Sequence, residues 1–534
     1  MESIANPLYF FSNLSLNPPT CSNVVRFIDV LEFFFIAHPI SGRKEGEEHK
    51  RVMFFHPKGE SLDRQAEVTG FAEAVVNFTE NFLSSARRET VLKFNDDDNF
   101  DFRTVTTQRT EHVYIRTEDN NFVLGVSLSK QLSLVSDYPL FQPAIRSILC
   151  DAYKMFRMFF GTFSSFLHYF STLPDDISSL KERLDFFFSK YIPLLKVHKM
   201  PLLDHLGGVE FMRMSGPLYL NVVSLLAELQ EEFPIIEKIM FLYQDKLVYY
   251  QLSKRDLPSL FRYLTHNLLP TALAPELEPS GRQSKGRYLR GPNDLTTDAP
   301  LLGDEALSVV HLHAETEPEE SVGDEVLLGY QMMVYRCLNA TVCMFVRHTG
   351  AVKSTIEDER RSRSSSTSSR TSPARNGVVS RRLLRNIDQF LETELAQVAS
   401  KIGDEIGEEK FPEATDFHYI YFNPSSLSMT SSLSTSPSLS VAASGTTSTS
   451  KVPLPPVDVN RLVCDTMDNF VSETEEFGEC FVKSSSDWWI VIKKVNARLL
   501  VLILPPSSYT SSLADVQSKT ATIVRSHFEA IFFS

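Results

Sequence analysis

The stretch FFFIAHPISGRKEGEEHKRVMFFHP, residues 33–57, decides how the first third of the chain is read. Two phenylalanine-rich runs, each closing on His-Pro, flank a loop that carries Gly42, Gly46, Lys44, Lys50 and the acids Glu45, Glu47 and Glu48. With His38, His49 and His56 beside those carboxylates, the loop has the residue types of general acid–base chemistry. It fits the turn of a β-hairpin equally well. VLEFFFI (30–36) and RVMFFHP (51–57) are short apolar runs consistent with buried strands. His38 and His56 each precede a proline at a strand end, and the charges between them are mixed in sign, as on a solvated loop. Two stiff strands presenting a charged, glycine-hinged rim suit protein recognition better than catalysis.

Outward from this hairpin, Val68, Phe71, Val75, Phe78 and Phe82 recur at spacings of 3 and 4, which predicts a helix over 63–83 with those residues on its buried face. Strands are expected at 102–108, 111–118 and 121–129, then a long Phe/Met-rich helix from about 144 to 170 and another at 177–190. Strand, strand, helix, three strands and two helices describe an antiparallel sheet flanked by helices, an α+β sandwich. Two further blocks repeat this grammar without repeating its sequence. The expected organisation is a first domain over 24–195, a second over 205–350, an Arg/Ser-rich linker at 351–378, and a third domain over 379–534 opened by a helix at 379–402. A Ser/Thr-rich insertion at 424–456 interrupts the third domain. Both Ser-rich segments lack the large side chains that would offset the entropy of ordering, so disorder is expected there.

Composition narrows the function. The formal net charge of −14 argues against general nucleic-acid affinity, which needs phosphate-neutralising cations. The six cysteines form no CxxC pair, as expected of free thiols in a reducing compartment. The N-terminus has no basic n-region, and no window approaches the roughly 18 apolar residues of a membrane span, so a cytoplasmic protein with peripheral membrane contact at most is expected.

The usual chemical motifs fail one by one. GRQSKG (281–286) has the P-loop gap, but Arg287 and Tyr288 stand where Lys and Ser/Thr are required. NDDDNFD (95–101) lacks the central Gly and terminal Glu of a calcium loop. His311 and His313 would share a strand face, yet no third ligand lies nearby in sequence. No bond-making residue, metal or cofactor is therefore expected. Arg282, Lys285, Arg287 and Arg290, in a Pro/Gly-rich loop at 270–300, could face an anionic lipid surface at about 1 kcal/mol per base.

The hairpin, continued by GFAEAVVNFTENF (70–82), resembles the start of the CCZ-one family of vacuolar and late-endosomal fusion proteins. FFGTF (159–163), LKERLDFFFSKY (180–191), FLYQDKLVYYQL (241–252), LFRYLTHNLLP (260–270), KGRYLRGP (285–292), FHYIYFN (417–423), DWWIVIKK (487–494) and HFEAIFF (527–533) follow in the family's order. The chain departs from it at Ala37-His38, where Tyr-Asn is common, and in its long Ser-rich segment. The resemblance implies three longin domains, each a sheet of about five antiparallel strands flanked by helices. It also implies pairing with a MON-one (SAND) tri-longin partner and guanine nucleotide exchange on a Rab-seven type GTPase at phosphoinositide-bearing late-endosomal or vacuolar membranes. Contacts are expected on the hairpin rim and the following helix, at Pro39, Gly42, Lys44, Glu45, Gly46, Glu47, Glu48, Glu73 and Asn77. The alternative is a longin scaffold or trafficking adaptor with no exchange activity.

Overall fold

A computed structural model describes residues 24–42, 45–80, 100–118, 121–170, 176–198, 201–273, 286–290, 295–296, 301, 307–314, 327–348, 379–408, 415–433, 452–473, 477–507 and 512–532. Three antiparallel sheets share one strand order. The first comprises β2 (Leu31–Ala37), β3 (Val52–His56), β4 (Asp101–Thr106), β5 (Thr110–Thr117) and β6 (Phe122–Ser129), in the order β3-β2-β6-β5-β4. A short β1 (Val24–Arg26) pairs with β7 (Lys196–His198) outside it. The second sheet runs β9 (Lys246–Tyr250), β8 (Ile236–Tyr243), β13 (Ala340–Arg347), β12 (Leu327–Cys337), and then β10 (Arg287–Arg290) and β11 (Ser308–His313) along the far side of β12. The third runs β15 (Ser428–Ser431), β14 (His418–Asn423), β18 (Arg498–Leu504), β17 (Trp489–Val495), β16 (Phe477–Lys483). Numbered within each domain, the first and third read 2-1-5-4-3, and the second follows the same order once β10 and β11, which both pair with β12, are counted together as its third strand. The three longin-like sheets expected from the sequence are present.

The aromatic alternation of β2 and β3 makes the first sheet two-faced. Phe34 and Phe54 meet Phe188 at ring-centroid distances of 5.3 and 5.5 Å on one side. Phe33, Phe35 and Phe55 point to the other, beneath helix α1 (Leu62–Glu80). There the structure corrects the expected helix face. The residues of α1 against the sheet are Val68, Ala72 and Val76, whereas Phe71 and Phe78 are 49% and 65% exposed. The sheet surface already carries Phe33, Phe35, Phe55 and Tyr114, so only small side chains let the helix approach. Phe82 lies outside the described residues.

A short α2 (Lys130–Val135) leads to α3 (Gln142–Phe160). The single long helix expected over 144–170 is two, because Gly161 (φ +85°) ends α3 and α4 (Phe163–Phe170) starts anew. Both Glu118 carboxylate oxygens cap that start, accepting Phe163 N–H and Ser164 N–H at 2.5 Å each, and Tyr153 Oη donates to the same group at 2.9 Å. α5 (Asp176–Leu194) completes this layer, in which Phe156 contacts Phe160, Phe163, Phe187 and Phe188 within 5.8 Å.

α3 is shared between two domains. Its inner residues pack under the first sheet, while Val310 and Leu312 of β11, with Leu257, Leu260 and Tyr263, belong to the same continuous core. The latter three come from α8 (Leu257–Arg262) and the π-helical turn Tyr263–Leu268, which runs into α9 (Leu269–Leu273). An ion pair from Arg262 to Asp151 (2.7 Å) crosses this junction. α6 (Pro201–Leu206) joins Phe141, just ahead of α3, and Ala144 within it in the core of the third domain.

The helix expected to open the third domain, α10 (Arg381–Glu408), covers the second sheet instead. Leu384, Ile387, Leu391, Leu395 and Ile402 are fully buried there, beside α7 (Gly216–Glu232). Phe233 meets Phe390 at one end of the helix pair, and Glu405 accepts Ser215 N–H and Oγ–H at 2.6 Å each at the other. The third sheet takes its helices from α11 (Val457–Glu473) and α12 (Leu513–Phe532).

Disorder expected from residue 424 is corrected at the start of that segment, where Ser428–Ser431 is a strand and Leu427 and Leu433 are buried. Residues 434–451 and the linker at 351–378 lie outside the described residues. Residues 209–212 join the second and third sheets. Val209 N–H donates to Leu427 O (2.7 Å) and Met429 N–H to Val209 O (2.9 Å), while Leu247 N–H donates to Glu210 O and Met212 N–H to Leu247 O (2.8 and 2.7 Å).

Candidate interaction surface

The β2–β3 connection is built from two 3-10 turns, Pro39–Gly42 and Glu48–Arg51. His38 is buried, 4.8 Å from Phe122 by ring centroids, and its Nδ1 shares a proton with Ser41 Oγ at 2.7 Å. Its backbone N–H donates to Arg51 O, closing the neck of the loop at 2.8 Å. His38 therefore holds the turn. At the opposite end of its strand, His56 is partly buried, and that burial, with Lys58 adding to it, lowers its pKa. His49 alone of the three stands exposed.

The acids lie on the rim. Glu45 and Gly46 are exposed, and Gly46 (φ +83°) adopts a backbone conformation that other residues resist. Glu47 pairs with Lys50 at 2.5 Å. Glu48 accepts Gly46 N–H at 3.1 Å, and backbone N–H bonds hold its carboxyl below the usual range. Pro39 is partly exposed and Gly42 ends the first turn; Lys44 lies outside the described residues.

The rim and α1 are joined. Arg51 reaches from the base of β3 to Glu73 at 2.8 Å, and Arg116 of β5 donates to Asn77 Oδ1 at 2.6 Å. Arg103 of β4 donates to Thr79 Oγ at 2.7 Å. Glu73 and Asn77 thus brace the helix against the sheet. The outward side of α1 instead carries Glu67, Phe71, Ala74 and Phe78, all exposed and spaced 4, 3 and 4 apart. Ile40 on the loop is another large apolar side chain left 47% exposed. The sequence signal for this face was the small-residue stripe Val68, Ala72, Val76, which marks the opposite, buried side.

The other sequence-level candidates lie elsewhere. Arg287 and Arg290 belong to strand β10 instead of a loop, and Arg287 Nη2 donates to Ala272 O at 2.8 Å. Arg282 and Lys285 lie outside the described residues. His313 is buried and bonded to Asp256 through both Nδ1 (2.6 Å) and its backbone N–H (2.8 Å). Burial lowers the pKa of His311, opposed by a bond to the Met158 backbone. Among the described residues no helix is long and apolar enough to cross a membrane.

Residues 31–161 match the model described as the first longin domain of INTU, CCZ1 and HPS4. Residues 236–392 match Intu longin-like domain 2, and 413–523 match Intu longin-like domain 3. The second match extends into α10, the helix that covers the second sheet. Proteins named "Vacuolar fusion protein CCZ1 homolog" align over nearly the whole length. The Xenopus tropicalis protein is 26% identical over 95% of this chain and 98% of its own. The Nematostella vectensis protein is 25% identical over 94% and 97%. The chain is similar to the CCZ1 proteins over nearly its whole length. Its three sheets are the three longin-like domains, and the braced rim and α1 lie within the first. A more distant Dictyostelium discoideum relative of the same name matches over 44% of the chain, at 21% identity.

Proposed function

We propose that the chain works in vacuolar or endosome–lysosome and autophagosome fusion as one half of a two-chain guanine nucleotide exchange factor. Its partner would be a second tri-longin protein of the MON-one type, and its target a Rab-seven type GTPase. The reading is supported by the full-length relatives named vacuolar fusion proteins and by one structural observation, the exposed Phe71 and Phe78 on a helix braced at Arg51, Arg116 and Arg103. Two exposed phenylalanines, with the small Ala74 between them and Glu67 one turn before, form a face of the aromatic type that dominates protein interfaces.

Exchange needs no bond-making side chain. A factor that binds the nucleotide-free GTPase better than the loaded one lowers nucleotide affinity by that same difference. The reading gives the outer face of α1 to the partner chain and the Glu45–Glu48 rim to the GTPase, where carboxylates would compete for the cation and switch-loop contacts that hold nucleotide. Recruitment to anionic membranes would be peripheral.

The test is release of labelled nucleotide from a late-endosomal Rab by the chain alone, by the partner alone and by the complex. Acceleration by the complex only, reduced when Glu45, Glu47 and Glu48 become Gln, is expected. A complex that assembles but releases nucleotide no faster than the Rab alone would leave a scaffold.

A further inference from the structure

The turn between β14 and β15 sits where all three domains meet. Leu427, held at φ +57°, is buried in the core shared by the first and second domains. Val209 forms its backbone rungs with Leu427 and Met429. From the second domain, Lys254 extends its ammonium to the carbonyl of Ser425 at 2.6 Å.

The hydroxyls of this turn are not equivalent. Ser426 Oγ accepts Ser428 N–H, Ser431 Oγ accepts Leu433 N–H, and Ser432 Oγ accepts Tyr419 N–H. Ser428 is partly buried in the rung. Ser425 is exposed, and its backbone is fixed by the bond from its N–H to Asn423 Oδ1, at 3.1 Å. Its hydroxyl makes no hydrogen bond with any described residue, so it is open to an enzyme, and a cation already lies against its own carbonyl.

The geometry points to Ser425 as a phosphorylation site whose phosphate is clamped by Lys254, locking the third domain to the second. In the transfer, Ser425 Oγ attacks the γ-phosphorus of Mg–ATP presented by a serine/threonine kinase. The bond from that phosphorus to the β–γ bridging oxygen breaks, ADP departs, and the hydroxyl proton passes to the kinase's base. The product carries nearly two negative charges and three strong acceptor oxygens within reach of the Lys254 ammonium.

Two measurements on the full chain test this. Phosphoserine placed at 425 by codon suppression should slow amide hydrogen exchange in 209–212 and 427–431 by about two- to five-fold, the range an exposed ion pair supplies. The slowing should vanish in Lys254→Gln, persist in Lys254→Arg and shrink at high salt. Unchanged or faster exchange, or slowing that survives in Lys254→Gln, would overturn the clamp. Peptide mass spectrometry of the chain purified from eukaryotic cells under phosphatase inhibition should find phosphate on Ser425. Its absence there would overturn the assignment of the site.

Discussion

The missing side chain of Gly125 is what lets Phe35 lie across the middle of the first sheet. A Cβ built there would sit 2.2 Å from the Phe35 ring and 2.8 Å from the Tyr114 ring. Gly125→Ala should therefore cost about 1–3 kcal/mol in chemical denaturation, as overpacked cores do. A second residue-scale prediction concerns His205 on α6, whose pKa burial pushes down to about 4, helped by the nearby Arg146 and opposed by a bond to the Pro143 backbone. Because its folded pKa lies below the unfolded 6.5, the unfolded chain takes up the proton first as pH falls. Stability is complete above about pH 6.5 and drains between there and about pH 4. The native chain should lose roughly 2–3 kcal/mol more across that window than His205→Gln does, measured as the difference in pH slope.

At the scale of single elements, α1 shows how two apolar stripes compete on one helix. The 3-and-4 spacing located the helix correctly, but Phe71 and Phe78 lost the inner position to Val68, Ala72 and Val76. Periodicity reports that apolar positions repeat and says nothing about how much room the facing sheet leaves. The double variant Phe71→Ala/Phe78→Ala should keep its stability within about 0.5 kcal/mol, as exposed positions do. On the proposed reading it should also weaken partner binding by roughly tenfold or more, as loss of an interface anchor does. Equal binding by both forms, measured by calorimetry, would move the partner elsewhere. The stripe of α10 was legible almost residue for residue, yet it was assigned to the wrong sheet, since a helix pattern does not encode which surface it covers. In the rim, mixed charge marked the solvated residues correctly. The inward turn of His38 toward Phe122 depends on a tertiary neighbour 84 positions away in sequence and carried no local signal.

For the whole molecule, the shared strand arrangement shows three copies of one architecture, and one continuous core runs from the first copy into the second. The seam at 209–212 depends on the close approach of Gly208, where a Cβ would stand 2.3 Å from that of Met429. Gly208→Val should break the Val209 rungs, seen as faster amide exchange in 427–431, while 340–347 in the centre of the second sheet stays protected. None of these junctions could be read from linear order, because the partners of 209–212 are contributed by residues near 247 and near 428.

The sharing of α3 between two sheets has a practical corollary for anyone dividing this protein. A fragment ending near residue 198 would contain every strand of the first sheet and would look, by family matching, like a whole domain. It would nonetheless expose the side of α3 that carries Phe159, which in the intact chain meets Tyr263 at 4.9 Å. Such a fragment should bind hydrophobic dyes and aggregate, as should one cut after α10, which would bare Leu202, Leu203 and Leu206, whereas the chain carried through α12 should remain monodisperse by light scattering. The units that sequence comparison counts as three share their cores, and expression has to treat them as one.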